Sequence, residues 1–223
     1  MTKERGNIME KTVRFDLAYE TMPWDAVDAV VFDIGNVLIR YAPDNFVEML
    51  FPGDEKKQQD MLDQVYGGKY WPSFDRGTMG YDEAAQLLHE EYGHSVEDYL
   101  HALRGWLNIK PAIEEGWRAA RKCKAMGKKL YLLSNYPKEG FEFLSKQKFA
   151  DRFEIFDGGT ISCYCHYNKP EDEIYQELIR ACNLTPERTV FIDDTLKNVE
   201  GAMKHGIHGY HRHENGMMDR FFI

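Results

Sequence analysis

The chain has 223 residues, with 28 Lys and Arg against 37 Asp and Glu, a formal charge of −9. That balance excludes a broad electrostatic footprint for nucleic acid or an anionic membrane, although a local cation can reverse the sign inside a pocket. With 43% hydrophobic and 13% aromatic residues, the chain can bury one sizeable α/β core and a small insert.

Residues 1–25 read as an N-terminal extension, ordered at most through Val13, Phe15 and Leu17. The stretch Met1 to Glu10 is polar and has no apolar h-region, so no secretory signal is expected. No run approaches the roughly 18 apolar residues of a membrane span. The four cysteines, Cys123, Cys163, Cys165 and Cys182, lack a framework spacing. They fit reduced thiols, and the expected location is cytoplasmic.

Ala29-Val30-Val31-Phe32 is a short, continuous apolar run, which predicts a strand buried on both faces. From about Asp44 to Leu107 the apolar residues recur at helical spacing, as with Tyr81, Ala84, Ala85 and Leu88. Ser95, with Asp98 three residues on, resembles a capping box. This segment predicts a helical insert. Beyond it, helix and strand alternate. Pro111 opens a helix ending near Gly127, and Leu130 to Leu133 is the next strand. A helix over Phe141 to Lys148 leads to a strand within Phe153 to Ile161. A helix over Glu171 to Cys182 precedes the strand Thr189 to Ile192, and a last helix over Leu196 to His205 stops at Gly206. Alternation of this kind predicts a parallel sheet covered on both faces, an α/β fold.

The polar residues fall at informative places on that scaffold. Asp33 follows the first apolar run, Ser134-Asn135 the second, and Asp193-Asp194 the last, while Lys169-Pro170 stands directly before a helix. Ligands of open parallel sheets bind outside the carboxyl ends of the strands, so these groups converge on one crevice. Taken singly, each has a bland reading. Asp33 could cap a turn, Asp193-Asp194 could N-cap the next helix, Ser134-Asn135 could only turn the chain, and Lys169 could be a solvated charge.

Together they suit phosphoryl transfer. A carboxylate attacking phosphorus meets like charge and needs cations. Magnesium takes one or two carboxylates, which Asp33 and one of Asp193 and Asp194 can supply. Lys169 adds a point charge, and Ser134 and Asn135 offer donors to the phosphoryl oxygens. The expected intermediate is an aspartyl phosphate on Asp33.

Asp33-Ile34-Gly35-Asn36-Val37-Leu38, Ser134-Asn135, Lys169-Pro170 and Phe191-Ile192-Asp193-Asp194 stand in the order and rough spacing of the four motifs of the haloacid dehalogenase superfamily. The resemblance covers about residues 26–210. Its first motif is similar to the Asp-x-Gly-Asn-Val variant of some sugar-phosphate phosphatases, and Trp71 to Tyr81 resembles part of their helical cap. It implies a Rossmann-like core over 26–41 and 108–223, a cap over 42–107, a magnesium ion, and the Gly35 backbone carbonyl as a further metal ligand.

Two departures stand out. Gly35 occupies the position where most phosphatases of the superfamily have a second aspartate, the general acid and base. Its loss predicts a slower enzyme or a substitute group, since such help is worth about 10²- to 10⁴-fold. His166 stands where the loop before Lys169 usually has glycine, and is one candidate for the substitute. Asp75-Arg76 reads either as a pair reaching the substrate from the cap or as charges on a solvated turn. A zinc site at Cys163, Cys165 and His166 lacks a second ligand pair. Rivals to a phosphoric monoester hydrolase are a 2-haloacid dehalogenase, which needs no metal, and an impaired member that only binds a ligand or partner.

Overall fold

The computed structural model describes residues 24–219; Val13, Phe15 and Leu17 lie outside the described residues. Five strands, β1 (Ala29–Phe32), β2 (Lys129–Ser134), β3 (Gly158–Ile161), β4 (Thr189–Asp193) and β5 (His208–His211), form one parallel sheet in the order β3-β2-β1-β4-β5. The apolar run of β1 is central, with Val31 in register with Tyr131 on one side and Phe191 on the other. Its four residues are at most 5% exposed, as a strand covered on both faces requires.

Between β1 and β2 the chain is helical, as its apolar spacing predicts. It forms α1 (Pro43–Leu50), α2 (Glu55–Met61), a π-helical turn, α3 (Trp71–Asp75), α4 (Tyr81–Tyr92), α5 (Val96–Gly105) and a 3-10 turn (Trp106–Ile109). The Ser95 hydroxyl caps α5 by accepting from the Asp98 amide at 3.1 Å. The remaining helices are α6 (Glu114–Ala125), α7 (Lys138–Phe143), α8 (Ala150–Phe153), α9 (Ser162–Cys165), α10 (Asp172–Cys182) and α11 (Leu196–Lys204).

The two sheet faces bury different partners because side chains alternate along a strand. Val31, Leu133 and Phe191 pack against Ile174, Tyr175 and Leu178 of α10 and Ala202 of α11. Val30, Phe32, Leu130, Leu132 and Ile192 belong to the opposite cluster, which runs through Trp117 of α6 into the aromatic interior of the insert. Insert and sheet therefore share one continuous core.

Several expectations are corrected. Pro111 does not open α6. Arg40 donates its amide to Pro111 O at 3.0 Å and Ile113 donates to Leu38 O at 2.8 Å, holding this stretch extended before the helix starts at Glu114. Phe153 belongs to α8, so β3 begins later, at Gly158. Cys163 and Cys165 lie on the helical turn α9. Strand β5 has no apolar run to announce it. Its sequence, His-Gly-Tyr-His, pairs with β4 at the edge.

Gly116 shows how tightly α6 seats against the loop after β1. A Cβ there would come 2.0 Å from the Val37 carbonyl oxygen. Gly116→Ala is predicted to destabilise the protein by about 1–3 kcal/mol, because backbone and not a flexible side chain would have to move. Chemical denaturation checks this, and an unchanged midpoint would show that the loop gives way freely.

Candidate active site

The strand order reverses direction at β1. The chain moves outward through β2 and β3, then returns to place β4 on the other flank. The crevice of a doubly wound sheet opens at such a switch point, and Asp33 leaves β1 there while Asp193 ends β4 beside it. The Asp33 amide donates to Ile192 O at 2.9 Å, which ties the two strand ends together.

Lys169 lies between them. Its ammonium is 2.9 Å from Asp33 Oδ1 and 2.6 Å from Asp193 Oδ2, and donates to Leu133 O at 3.1 Å. The side chains of Lys169, Asp33 and Asp193 are only 1%, 9% and 0% exposed. Burial pulls the Lys169 ammonium down, but Asp193 and Asp33 outweigh it and leave it above the ordinary lysine range. Burial pushes the Asp33 carboxyl up to about 6 against the pull of Lys169, with Asp193 adding repulsion.

Each aspartate of the β4 pair has a different environment. Asp193 is saturated. Its Oδ1 accepts from the Thr195 amide at 2.7 Å, and Asn198 Nδ2 reaches both oxygens at 3.1 Å. Asp194 is half-buried and accepts from Asn36 Nδ2 at 3.1 Å. Burial, then the charge of Asp33, raises the Asp194 carboxyl above its ordinary range. Ligand oxygens of Asp33, Asp193 and Asp194 lie within 4.8 Å of one another, and among the described residues this is the cluster able to hold a metal.

The loops supply the rest. Asn135 clamps the backbone of Lys169 from both sides. Its Oδ1 accepts the Lys169 amide at 2.7 Å, and its Nδ2 donates to Lys169 O at 3.0 Å. The Ser134 hydroxyl is buried beside Asp33 without a well-formed hydrogen bond. Asn36 takes a left-handed conformation with φ 49°, which asparagine tolerates better than most residues. Its carbonyl accepts from Arg212 at 2.7 Å, and a His211 ring nitrogen meets Asp194 O at 2.9 Å.

A cavity of about 250 Å³ opens over these groups. Gly35, Asn36, Asn135 and Asp194 form its floor, and the insert covers it with Trp71, Asp75 and Trp106. Lys110 lines it as well. Lys110 is 2% exposed and its ammonium stands 3.5 Å from the centre of the Trp106 ring and 4.6 Å from that of Tyr136. Burial drives that ammonium well below its ordinary range, with Asp75 opposing.

The structure thus brings Asp33, Gly35, Ser134, Asn135, Lys169, Asp193 and Asp194 to one place. His166 faces away. It caps α9 in a left-handed conformation, and its Nδ1 meets Arg76 O at 2.7 Å. Asp75 and Arg76 are not a solvated pair. Arg76 bonds Glu171 at 3.0 Å, whereas Asp75 turns into the cavity. Asn198, Arg212 and Lys110 were not read from the sequence. Only Asn198 gave a signal, as a polar residue in the first turn after the aspartate pair.

Residues 27–206 match the family model of the haloacid dehalogenase-like hydrolases, and the chain belongs to that family. It is a hydrolase, and several of its named relatives are phosphatases. A sesquiterpene phosphatase, astK, from Aspergillus oryzae is 24% identical over 183 residues, 82% of this chain and 88% of that protein. A phosphorylated carbohydrates phosphatase from Thermotoga maritima is 26% identical over 193 residues, 81% of this chain and 82% of that protein. A family enzyme from Bacteroides thetaiotaomicron, solved as a variant with magnesium and inorganic phosphate, superposes with a TM-score of 0.66 at 20% identity, covering 83% of this chain and 93% of that one. The α/β core with surrounding helices is the fold of this family. No helix among the described residues is long and apolar enough to cross a membrane.

Lys169→Met would leave Asp33 and Asp193 buried without their cation, at a predicted cost of about 3–5 kcal/mol at pH 8. Asp33 is raised above its unfolded value, so its protonated form is the one folding favours, and stability is lost as pH rises through about 6. Without Lys169 that rise matters more. Urea denaturation in chelator at pH 5 and pH 8 tests this: the deficit is expected to be larger at pH 8, and an equal deficit would contradict the pairing.

Proposed function

We propose that this chain is a magnesium-dependent phosphoric monoester hydrolase acting on a small phosphorylated metabolite, a sugar phosphate among the candidates. The carrying observation is the charge arrangement at the switch point: three clustered carboxylates, Asp33, Asp193 and Asp194, with the Lys169 ammonium in ion-pair contact with the first two. A divalent cation with hard oxygen ligands balances that surplus. Asp33, Asp194 and the Gly35 carbonyl would hold it. Both oxygens of Asp193 are already engaged, so its task is to fix Lys169 and the start of α11. Bound magnesium would supply charge neutralisation for the phosphoryl group.

Asp33 is the nucleophile on this reading. Its carboxylate forms a bond to phosphorus, and the ester oxygen departs with its electron pair. Lys169 draws the approach of two anions together, and Asn135 keeps Lys169 in register through the two bonds to its backbone. The Ser134 hydroxyl has a donor to give the phosphoryl oxygens. The helices over 42–107 act as the cap and exclude water while the phosphoenzyme stands.

Size narrows the substrate. The cavity of about 250 Å³ lies below the roughly 300–1,000 Å³ of pockets for drug-sized ligands. That supports a short leaving group over a long isoprenoid chain. The half-buried Trp71 on the cavity wall would suit the carbon face of a polyol or sugar. The carboxylate surplus speaks against a metal-free dehalogenase, where it would stand unbalanced. A cytoplasmic location is supported by the free state of Cys123, Cys163, Cys165 and Cys182.

A panel of metabolite phosphates with magnesium, read by phosphate release, tests the proposal. Turnover is expected, with loss in chelator and a fall of about 10⁴-fold or more in Asp33→Asn. Failure to hydrolyse any phosphoester of the panel, p-nitrophenyl phosphate included, would overturn it.

A further inference from the structure

The reaction proposed above lacks one part. An alkoxide or phenoxide leaves slowly unless its oxygen is protonated as the bond to phosphorus breaks. The residue two beyond the nucleophile, Gly35, has no side chain to do this. It does leave room. A Cβ built on Gly35 would find only Asp33 Oδ2 within 4 Å, at 3.8 Å, so that flank of the nucleophile opens into the cavity.

The insert places a carboxyl on the same cavity. Asp75 ends α3 and lines the space together with Gly35, Asn36, Asn135 and Asp194. Among the described residues its carboxyl has no hydrogen bond or ion pair, although its backbone is held firmly. Ser162 donates its hydroxyl to Asp75 O at 2.5 Å, and Asn168 donates to Pro72 O at 3.0 Å. Arg76, the next residue, is bound to Glu171 at 3.0 Å. These bonds staple α3 to the segment that carries Lys169, so Asp75 is aimed by the loop that also aims the catalytic cation.

We propose that Asp75 is the general acid, and then the general base, of the phosphatase reaction, supplying from the insert what position 35 cannot. The inference rests on the phosphatase reading. In the first step Asp33 bonds to phosphorus, the ester P–O bond breaks, and the departing oxygen takes the Asp75 proton. In the second, water attacks phosphorus, gives its proton to the Asp75 carboxylate, and the P–Oδ bond to Asp33 breaks. Phosphate and alcohol leave, and both aspartates return to their starting states.

The surroundings of Asp75 suit that cycle. The groups acting on its charge are the Lys110 and Lys169 ammoniums and the Asp33 carboxylate, with the Tyr41, Tyr81 and Tyr136 hydroxyls and the Cys163 thiol also in its field. Burial pushes its carboxyl up to about 7, opposed by Lys110 and Lys169 and reinforced by Asp33. It can therefore hold a proton at neutral pH and give it up. Lys110 has no carboxylate within ion-pair distance among the described residues, and its aromatic cage keeps it on the cavity wall.

The test compares kcat/KM for phenyl phosphate, whose leaving group needs a proton, with that for p-nitrophenyl phosphate, whose leaving group hardly does, with magnesium present. Asp75→Asn is expected to lower the phenyl phosphate value by about 10²-fold or more while the p-nitrophenyl phosphate value falls less than about tenfold. Adding Gly35→Asp to Asp75→Asn places a carboxyl in the open flank and should recover much of the loss on phenyl phosphate alone. Asp75→Ala gives the same comparison should the asparagine variant not fold. Equal losses on both substrates, or none, would overturn the role of Asp75 and leave the phosphatase reading standing. No turnover of either substrate by the unaltered protein would remove both.

Discussion

The Lys169 ammonium lies between two carboxylates that folding has taken out of water, 2.9 Å from Asp33 and 2.6 Å from Asp193. Buried ions are tolerated only when paired and hydrogen-bonded, and here each depends on the others. Removing the cation strands two anions, and removing either anion weakens the hold on the cation. The sheet makes the arrangement possible. β1 and β4 run side by side in register, so Asp33 and Asp193 emerge at one level, and Leu133 at the end of β2 gives Lys169 a carbonyl. The loop geometry follows from this. Asn135 grips the Lys169 backbone at both polar atoms, and Asn198 and the Thr195 amide occupy what Lys169 leaves of Asp193.

One consequence is a division of labour between neighbouring aspartates that share one sequence motif. Asp193 is committed inward to the helix start and to Lys169, whereas Asp194 faces the cavity and the Asn36 side chain. Asn36 in turn hangs on Arg212, which also reaches toward Glu115 of α6. The first motif and α6 are thus bound to the end of β5 by a buried arginine far from both of them in sequence. Rigidity of that kind is what a site must have if an approaching anion is to meet donors already in place.

The central elements were legible because their signals are local. A four-residue apolar run can only be a buried strand in this context, and a polar residue at its end is visible at once. Helical spacing from Tyr81 to Leu88 gave the insert the same clarity. Strand β5 was missed because an edge strand of His, Gly, Tyr and His has neither apolar run nor alternation, and is held by its pairing to β4. Pro111 misled for a similar reason, since long-range bonds to Leu38 and Arg40 override the local preference for a helix start. Asp75 stood as a candidate with two readings open. Two adjacent charges look alike in sequence, and only the fold turns Arg76 to Glu171 and Asp75 to the cavity.

Moving the proton donor from the first motif to the insert changes what the insert is for. An aspartate at position 35 would travel with the nucleophile and be ready whether or not the cavity was covered. A carboxyl on α3 is in place only while α3 is docked against α9 and the Lys169 loop through Ser162, Asn168 and Glu171. Departure of the alcohol then depends on the covered state, and so does activation of the water that follows. Such coupling discourages reaction in the open site, where bulk water would compete for the phosphoryl group. The same covering by Trp71 and Trp106 desolvates Asp75 and keeps its carboxyl able to carry a proton. Closure and acid strength are then two effects of one packing interface, which is a physical reason for a family member to do without the aspartate it lacks at Gly35.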